Sequence, residues 1–440
     1  MAEAPGGAAI TNARVLKIAL PIVLSNATIP ILGAVDTGVV GQMGQAAPIG
    51  AVGMGAVILA SVYWIFGFLR MGTSGLVAQA HGAGDGAESG AVLLRALMIA
   101  GVAGFALIAL QGGLVWAAFR VAPASGEVEA LAREYIAIRI WGAPATIGLY
   151  AITGWLIAVE RTRAVLVLQL WINGVNVILD LWFVLGLGWG VPGVAVATLI
   201  AEWTGLAFGL WLCRGAFAGG AWRNWGRVFD LGRLREMGRV NSDFMLRTVI
   251  LQASFTTFVF LGAGQGDVTL AANQVLMQFL EITAYALDGF AFSAEALVGQ
   301  AVGARARPVV RRAAVLTSQW GVAGSVALGL GFWFAGPAII DLMAAEAEVR
   351  EAARLYLPWV ALGPVVGIAS WMFDGIFIGA TLTREMRNAM AVSVTVYGVA
   401  LWFLLPAYGN HGLWAALMVL NVTRGVTMAL FYGRVEAKAA

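Results

Sequence analysis

Cysteine, histidine and charge are all scarce in this chain of 440 residues. The single cysteine, Cys213, cannot form an internal disulfide, so no oxidising compartment is implied. The only histidines, His81 and His411, fall at loop edges, and no HExxH or GxSxG context is present. Metal-dependent and nucleophilic catalysis draw on such residues, which argues against an intramembrane enzyme. Charged residues make up 12% of the chain, against about a quarter in soluble domains. With 60% hydrophobic residues, the chain is not an ordinary soluble globule. The start of the chain, Met1 to Asn12, is small and polar and shows no signal-peptide pattern. No repeated pore-loop pattern is present either, which disfavours a passive channel.

What is abundant is apolar sequence in long runs. A helix needs about 20 such residues to cross a bilayer, and twelve spans are expected, centred near residues 28, 64, 104, 145, 175, 201, 252, 285, 324, 365, 395 and 422. The Gly/Pro-rich stretches Gly186 to Pro192 and Ala407 to Gly412 read as tight turns between paired helices.

The second half repeats the first at an offset of 221 residues. Leu76-Val77-Ala78-Gln79-Ala80-His81-Gly82 falls on Leu297-Val298-Gly299-Gln300-Ala301-Val302-Gly303. The same shift lays Tyr135 on Tyr356, Gly142 on Gly363, Gly154 on Gly375 and Thr162 on Thr383. Internal duplication in an apolar chain is a signature of transporters. Six spans per repeat make the halves parallel, related by a pseudo-twofold axis along the membrane normal. The expected fold is therefore an all-α integral membrane protein of twelve helices in two six-helix bundles. Residues 1–220 form the first bundle, 221–240 a basic connector and 241–440 the second.

Nineteen Lys and Arg lie on one side of these spans and only Arg120, Arg133, Arg350 and Arg354 on the other. By the positive-inside rule both termini and the connector face the cytoplasm. The net charge of +3 therefore marks loops between spans and not nucleic-acid binding. A short amphipathic helix lying along the membrane is expected around Trp222 to Met237.

Carboxylates inside spans are costly and become functional candidates by default. Here they are Asp36, Asp180, Glu202, Glu281, Asp288, Glu295 and Asp374, with Arg70, Arg139, Arg247 and Arg424 as intramembrane counterparts. Asn173, Asn176 and Asp180 recur at i, i+3 and i+7, a polar stripe on an otherwise apolar helix. Asp36 in the first span and Thr198 in the sixth complete the sharpest cluster. A proton carrier needs a carboxyl that titrates near neutrality, which burial and a second carboxylate favour. A sodium site needs hard oxygen ligands, and the same residues supply them. Asn and Thr also glue helices together, but a structural role rarely requires a carboxylate. At the repeat offset Asp36 meets Thr257 and Asp180 meets Leu401, so the fold tolerates those positions without acids. Glu281, Tyr285, Asp288 and Glu295 share one helical face in the eighth span, and with Arg70 are candidates to line a substrate cavity. Pro21 and Pro30 interrupt the first span, and a bendable helix holding a titratable group would couple protonation to movement.

Leu20-Pro21 followed by Asp36, then Asn176, Asp180 and Thr198, resembles the multidrug and toxic compound extrusion (MATE) transporters. Phe68-Leu69-Arg70-Met71-Gly72-Thr73, Ala284-Tyr285-Ala286-Leu287-Asp288-Gly289 and Glu295-Ala296-Leu297-Val298-Gly299 are similar to the DinF branch of that family. The resemblance implies two six-helix lobes opening alternately, exporting organic, often cationic, compounds against inward protons or sodium. It places Asp36, Asn176, Asp180 and Thr198 at the cation-coupling site and Pro21 at the helix bend. No cofactor is implied beyond the coupling ion, a proton, with sodium at the same four residues as the alternative. The other alternative is a lipid-linked glycan flippase of the same superfamily, which the acidic lean of the in-span charges disfavours. The partners expected are small organic molecules, the coupling ion and the bilayer of the cytoplasmic (inner) membrane, with no nucleic acid and a monomeric chain.

Overall fold

In lipid a spanning segment must satisfy its own backbone hydrogen bonds, and helices do so. The computed structural model describes residues 9–42, 46–122, 124–218, 220 and 223–440. The first span is broken, with α1 (Asn12–Ala27) and α2 (Ile29–Gly41) meeting at Thr28. Then come α3 (Ala46–Ile65) with α4 (Phe68–Gly82), α5 (Gly86–Ala109), α6 (Gln111–Val121), α7 (Gly126–Arg139) with α8 (Ala143–Ala158), α9 (Thr162–Asp180) and α10 (Gly190–Leu212). A single helical turn, α11 (Trp225–Val228), precedes α12 (Leu231–Ala263), α13 (Asp267–Gly303), α14 (Arg307–Met343), α15 (Ala347–Gly379), α16 (Thr383–Tyr408) and α17 (Asn410–Ala437). Among the described residues, eleven helical stretches are long and apolar enough to cross a bilayer. The broken first span makes the twelfth.

Contacts divide the chain into two compact units. One holds Leu24–Val77 and Asp85–Leu234; the other holds Arg235–Ala440 together with the chain up to Val23 and the short segment Ala78–Gly84. The N-terminal three-quarters of α1 thus packs with the second half, burying Val15, Ile18, Ala19 and Ile22. Gly289 of α13 makes this approach close, since a Cβ there would sit 2.8 Å from the Ala19 carbonyl oxygen.

The connector differs from the in-plane helix expected around Trp222 to Met237. Trp222 lies outside the described residues, and from Leu231 onward the chain is already α12. Met237, Val240 and Phe244 are buried at helical spacing, so this stretch packs against protein. Upstream, Arg95 donates to the Arg227 and Val228 carbonyls at 2.8 Å, while Glu88 takes Arg95 and Arg233 at 2.9 Å each. Asp85 caps α5 through the Glu88 amide and pairs with Arg227 at 2.9 Å. Burial pushes the Asp85 carboxyl up, but the Glu88 amide and Arg227 outweigh it and hold the group below the usual carboxylate range.

The duplication is written into the backbone. Glu160 and Thr381 share a left-handed conformation (φ 58° and 51°), as do Gly84 and Arg305 (φ 75° and 53°), each pair 221 residues apart. Gly154 touches the Arg70 carbonyl, and its mate Gly375 touches the Ala291 carbonyl. Within the second unit Gly82 lies directly against the Gln300 carbonyl, and Gly303 directly against the Gln79 carbonyl. These two contacts are the same contact made twice, with the repeats exchanged, which is what a two-fold relation produces.

Candidate cation-coupling site

The site is built within the first unit by α2, α7, α9 and α10. Pro30, at the start of α2, lacks an N–H and suits the first turn of a new helix. Thr28 turns its hydroxyl back to the Ser25 carbonyl at 2.7 Å, closing the end of α1. The break at Thr28 lets α2 pack against α9 and α10. Pro21 itself is buried inside a continuous α1, and the interruption at Thr28 falls about two turns later.

Asp180 is the last α-helical residue of α9 and is followed by a π-helical turn, Leu181–Gly186. Such turns are rare and cluster at functional sites. Asn176 and Asp180 are fully buried and Thr198 is 6% exposed. The Asn176 amide donates to Thr198 Oγ1 at 3.0 Å, and that hydroxyl donates to the Val194 carbonyl at 3.0 Å. Asp36, on α2, meets Asp180 closely enough for the two carboxyls to share a hydrogen bond. Four acceptor atoms here have no donor in hydrogen-bonding geometry among the described residues: Asp36 Oδ1, both Asp180 oxygens and Asn176 Oδ1. Buried polar atoms are rarely left so. The sequence-predicted residues Asp36, Asn176, Asp180 and Thr198 are therefore brought together, in a setting that lacks positive charge in direct contact.

Asn173, one turn up the stripe, does something else. Its amide donates to the Thr28 carbonyl at 3.2 Å, while Gln169 donates to its oxygen at 2.9 Å. It ties α9 to the break in the first span.

Arg139, Glu202 and Tyr135 were not singled out as site residues by sequence reasoning, although the in-span position of both charges was visible. Arg139 ends α7, where Pro144 ahead forces a 3₁₀ turn over Ile140–Gly142. Its guanidinium pairs with Glu202 of α10 at 2.6 Å, both nearly enclosed. Gly142 makes room for this, because a Cβ there would overlap the Glu202 carboxylate. Arg139 also acts electrostatically on Asp36 and Asp180, and Tyr135 lies beside it one helical turn away. Breaking a buried pair by deleting one partner costs about 3–5 kcal/mol, while replacing both with apolar residues is often neutral. Glu202→Leu is therefore expected to lower the melting midpoint sharply and Arg139→Leu/Glu202→Leu to recover most of the loss, measured by thermal unfolding in detergent.

Comparison with known proteins places this architecture. The MatE family model matches the chain twice, over residues 21–182 and 244–404, once in each repeat. The chain belongs to the MatE family. It is a membrane transporter and not an enzyme. The MatE chain is 38% identical to DNA damage-inducible protein F of Escherichia coli over 95% of its length and 91% of that protein. It is 25% identical to a probable multidrug resistance protein NorM of Synechocystis over 91% of its length and 89% of that protein. In fold it matches the Vibrio cholerae MATE transporter VcmN in its bent form, with a TM-score of 0.86, 20% identity and 97% coverage of both chains.

The remaining candidates of this MatE chain are spread through the second half and α4. Glu281 is exposed, Tyr285 and Asp288 are half-buried beside it on α13, and Glu295 is fully enclosed. The first three form one electrostatic group, whereas Glu295 sits in packed surroundings two turns further on. Arg70, on α4, is half-buried in the first unit near Tyr150.

Proposed function

We propose that this chain is a secondary active antiporter that exports organic, often cationic, compounds in exchange for protons entering through Asp36 and Asp180. The observation that carries the reading is the donor-free set of buried acceptors, three carboxylate oxygens and one amide oxygen. Such a set suits a bound cation, and two facing carboxyls are suited to holding one proton between them. Protonation from outside would neutralise the pair and favour one arrangement of the lobes; drug binding from the cytoplasm would favour the other and expel the proton. Linkage makes the antagonism reciprocal, so each ligand weakens the other by the same factor. The chain works as a monomer in the cytoplasmic (inner) membrane with both termini inside, a reading supported by the Lys/Arg asymmetry.

The same all-oxygen set also suits sodium, which is the second reading. Reconstituted vesicles loaded with a fluorescent organic cation separate the two. A proton gradient alone is expected to drive the cation across at least about tenfold faster than a sodium gradient alone, a coupling within the usual range. Equal or greater driving by sodium would replace the proton with sodium at the same residues.

A further inference from the structure

A groove of about 560 Å³ lies between the first turns of α14 and the last turns of α17. Arg307, Arg311 and Arg312 bring three positive charges to its lining and Glu436 one negative charge; the other lining residues are uncharged. Arg307 donates through Nε and Nη2 to a single Glu436 oxygen, at 3.3 and 3.2 Å. Arg312 donates through Nε to the Ile10 carbonyl at 3.1 Å. Arg311 forms no ion pair among the described residues and acts electrostatically on Tyr432, one turn before Glu436 on α17. Glu385 of α16 is held by Arg434 at 2.7 Å and is not part of the lining.

The shared fold does not require these arginines. At the repeat offset Arg307, Arg311 and Arg312 fall on Gly86, Gly90 and Ala91 of α5. There the chain covers its own helix, with Gly90 so close to Ala216 that a Cβ would sit 2.5 Å from its carbonyl oxygen. One repeat thus fills this face with backbone, and the other opens it and lines it with guanidiniums. The general Lys/Arg excess on this side of the spans calls for charged loops, not for three arginines converging on one groove.

The same helix face then turns apolar. Arg307, Arg311, Val315 and Gln319 recur every four residues, and Val322, Val326 and Leu330 continue their face. Val315, Val322, Val326 and Leu330 are between 41% and 54% exposed. Arg311 to Val322 spans about 16 Å of helix, roughly half the hydrocarbon thickness of a bilayer. A matching molecule carries an anionic head at the arginines and an apolar tail one leaflet long.

We propose that this groove binds the phosphate headgroup of an anionic phospholipid, with its acyl chains along Val315 and Val322. Guanidinium forks pair with phosphate oxygens, and basic pockets between membrane helices take acidic lipid heads. The site uses no residue assigned to cation coupling and does not depend on which ion or compound is transported.

The test uses the full-length protein, stripped of co-purified lipid in detergent, with its melting midpoint followed as lipid is added at constant ionic strength. The probes are dioleoyl phosphatidylglycerol, phosphatidylcholine with the same chains, and inorganic phosphate and glycerol 3-phosphate without chains. A ligand bound only by the folded state raises the midpoint saturably. Phosphatidylglycerol is expected to do so, with no comparable rise from the other three. Arg311→Gln breaks no ion pair, so its unliganded midpoint should hold while apparent phosphatidylglycerol affinity falls about fivefold, the usual contribution of one basic residue at an anionic lipid surface. Glu436→Gln removes the groove's negative charge and frees Arg307, so it should tighten binding about fivefold; it carries the test by itself if Arg311→Gln does not fold. Arg434→Gln, outside the groove, should leave the affinity unchanged. The proposal is overturned if phosphatidylcholine raises the midpoint equally, if Arg311→Gln binds phosphatidylglycerol unchanged, or if Arg434→Gln weakens it as much. Saturation by either free phosphate, with phosphatidylglycerol adding nothing, would make this a site for soluble phosphate compounds and overturn the lipid assignment.

Discussion

Asp36→Asn is expected to abolish drug-evoked proton release and to reduce proton-driven efflux to the level of empty vesicles. The substitution keeps the size of the side chain and its ability to hydrogen-bond to Asp180, but it removes the group that takes the proton. Asp180 is left facing an amide, still buried and one helical turn from Asn176, which donates to Thr198. The α2 position does not depend on a charge, because among the described residues Asp36 makes no ion pair, and Arg139 is taken by Glu202. Folding should therefore survive while coupling is lost. The readout is a pH-sensitive dye in weakly buffered detergent solution, with drug added to the purified protein. Asp180→Asn should behave alike, since one shared proton needs both carboxyls. Proton release and transport that persist unchanged in Asp36→Asn would end the mechanism. Asn173→Ala is the informative contrast: it removes a tie to the Thr28 carbonyl and no titrating group. It should alter the rate of transport and leave the proton count per drug unchanged.

These residues differ in how far they were legible in the sequence. The polar stripe Asn173, Asn176 and Asp180 was readable because helical periodicity alone puts it on one face. That Asn173 serves the helix break and the other two serve the acid pair was not readable, since it depends on where α1 ends. Of the two prolines of the first span, Pro30 stands at the break, just after Thr28, while Pro21 sits inside an unbroken α1. Proline removes one hydrogen bond and bends a helix; whether the helix also ends depends on the neighbours that take up the freed groups. Glu202 and Arg139 lie 63 residues apart, and nothing local connects them. The same holds for Asp374, whose two arginines come from helices on either side of it in sequence. In-span charges can be counted from sequence, but which of them neutralise one another is a tertiary fact. Ion pairing occupies Glu202, Asp374 and Asp243, whereas Asp36 and Asp180 meet each other.

Gly82→Ala and Gly303→Ala should each be among the most destabilising single substitutions in the chain. A Cβ at Gly82 would overlap the Gln300 carbonyl, and one at Gly303 the Gln79 carbonyl. The obstacle is backbone in both cases, so no rotamer change relieves it. Overpacking of a tight contact costs about 1–3 kcal/mol, and a clash with a carbonyl belongs at the upper end. Both contacts lie where the end of α4 crosses the end of α13, so one alanine that pushes these helices apart also makes room for the other. The double variant should accordingly cost clearly less than the two singles together, a coupling of about 0.5–3 kcal/mol between touching sites. Gly84→Asn is the control: its φ is 75°, nothing lies near its Cβ, and its repeat mate Arg305 already holds a side chain at φ 53°. Asparagine tolerates that region better than most residues, so the cost should be small. Thermal unfolding of the four variants in detergent measures all of this. Additive losses at Gly82 and Gly303 would mean that the two contacts bear on separate interfaces, and the repeats would then not share a single two-fold crossing there.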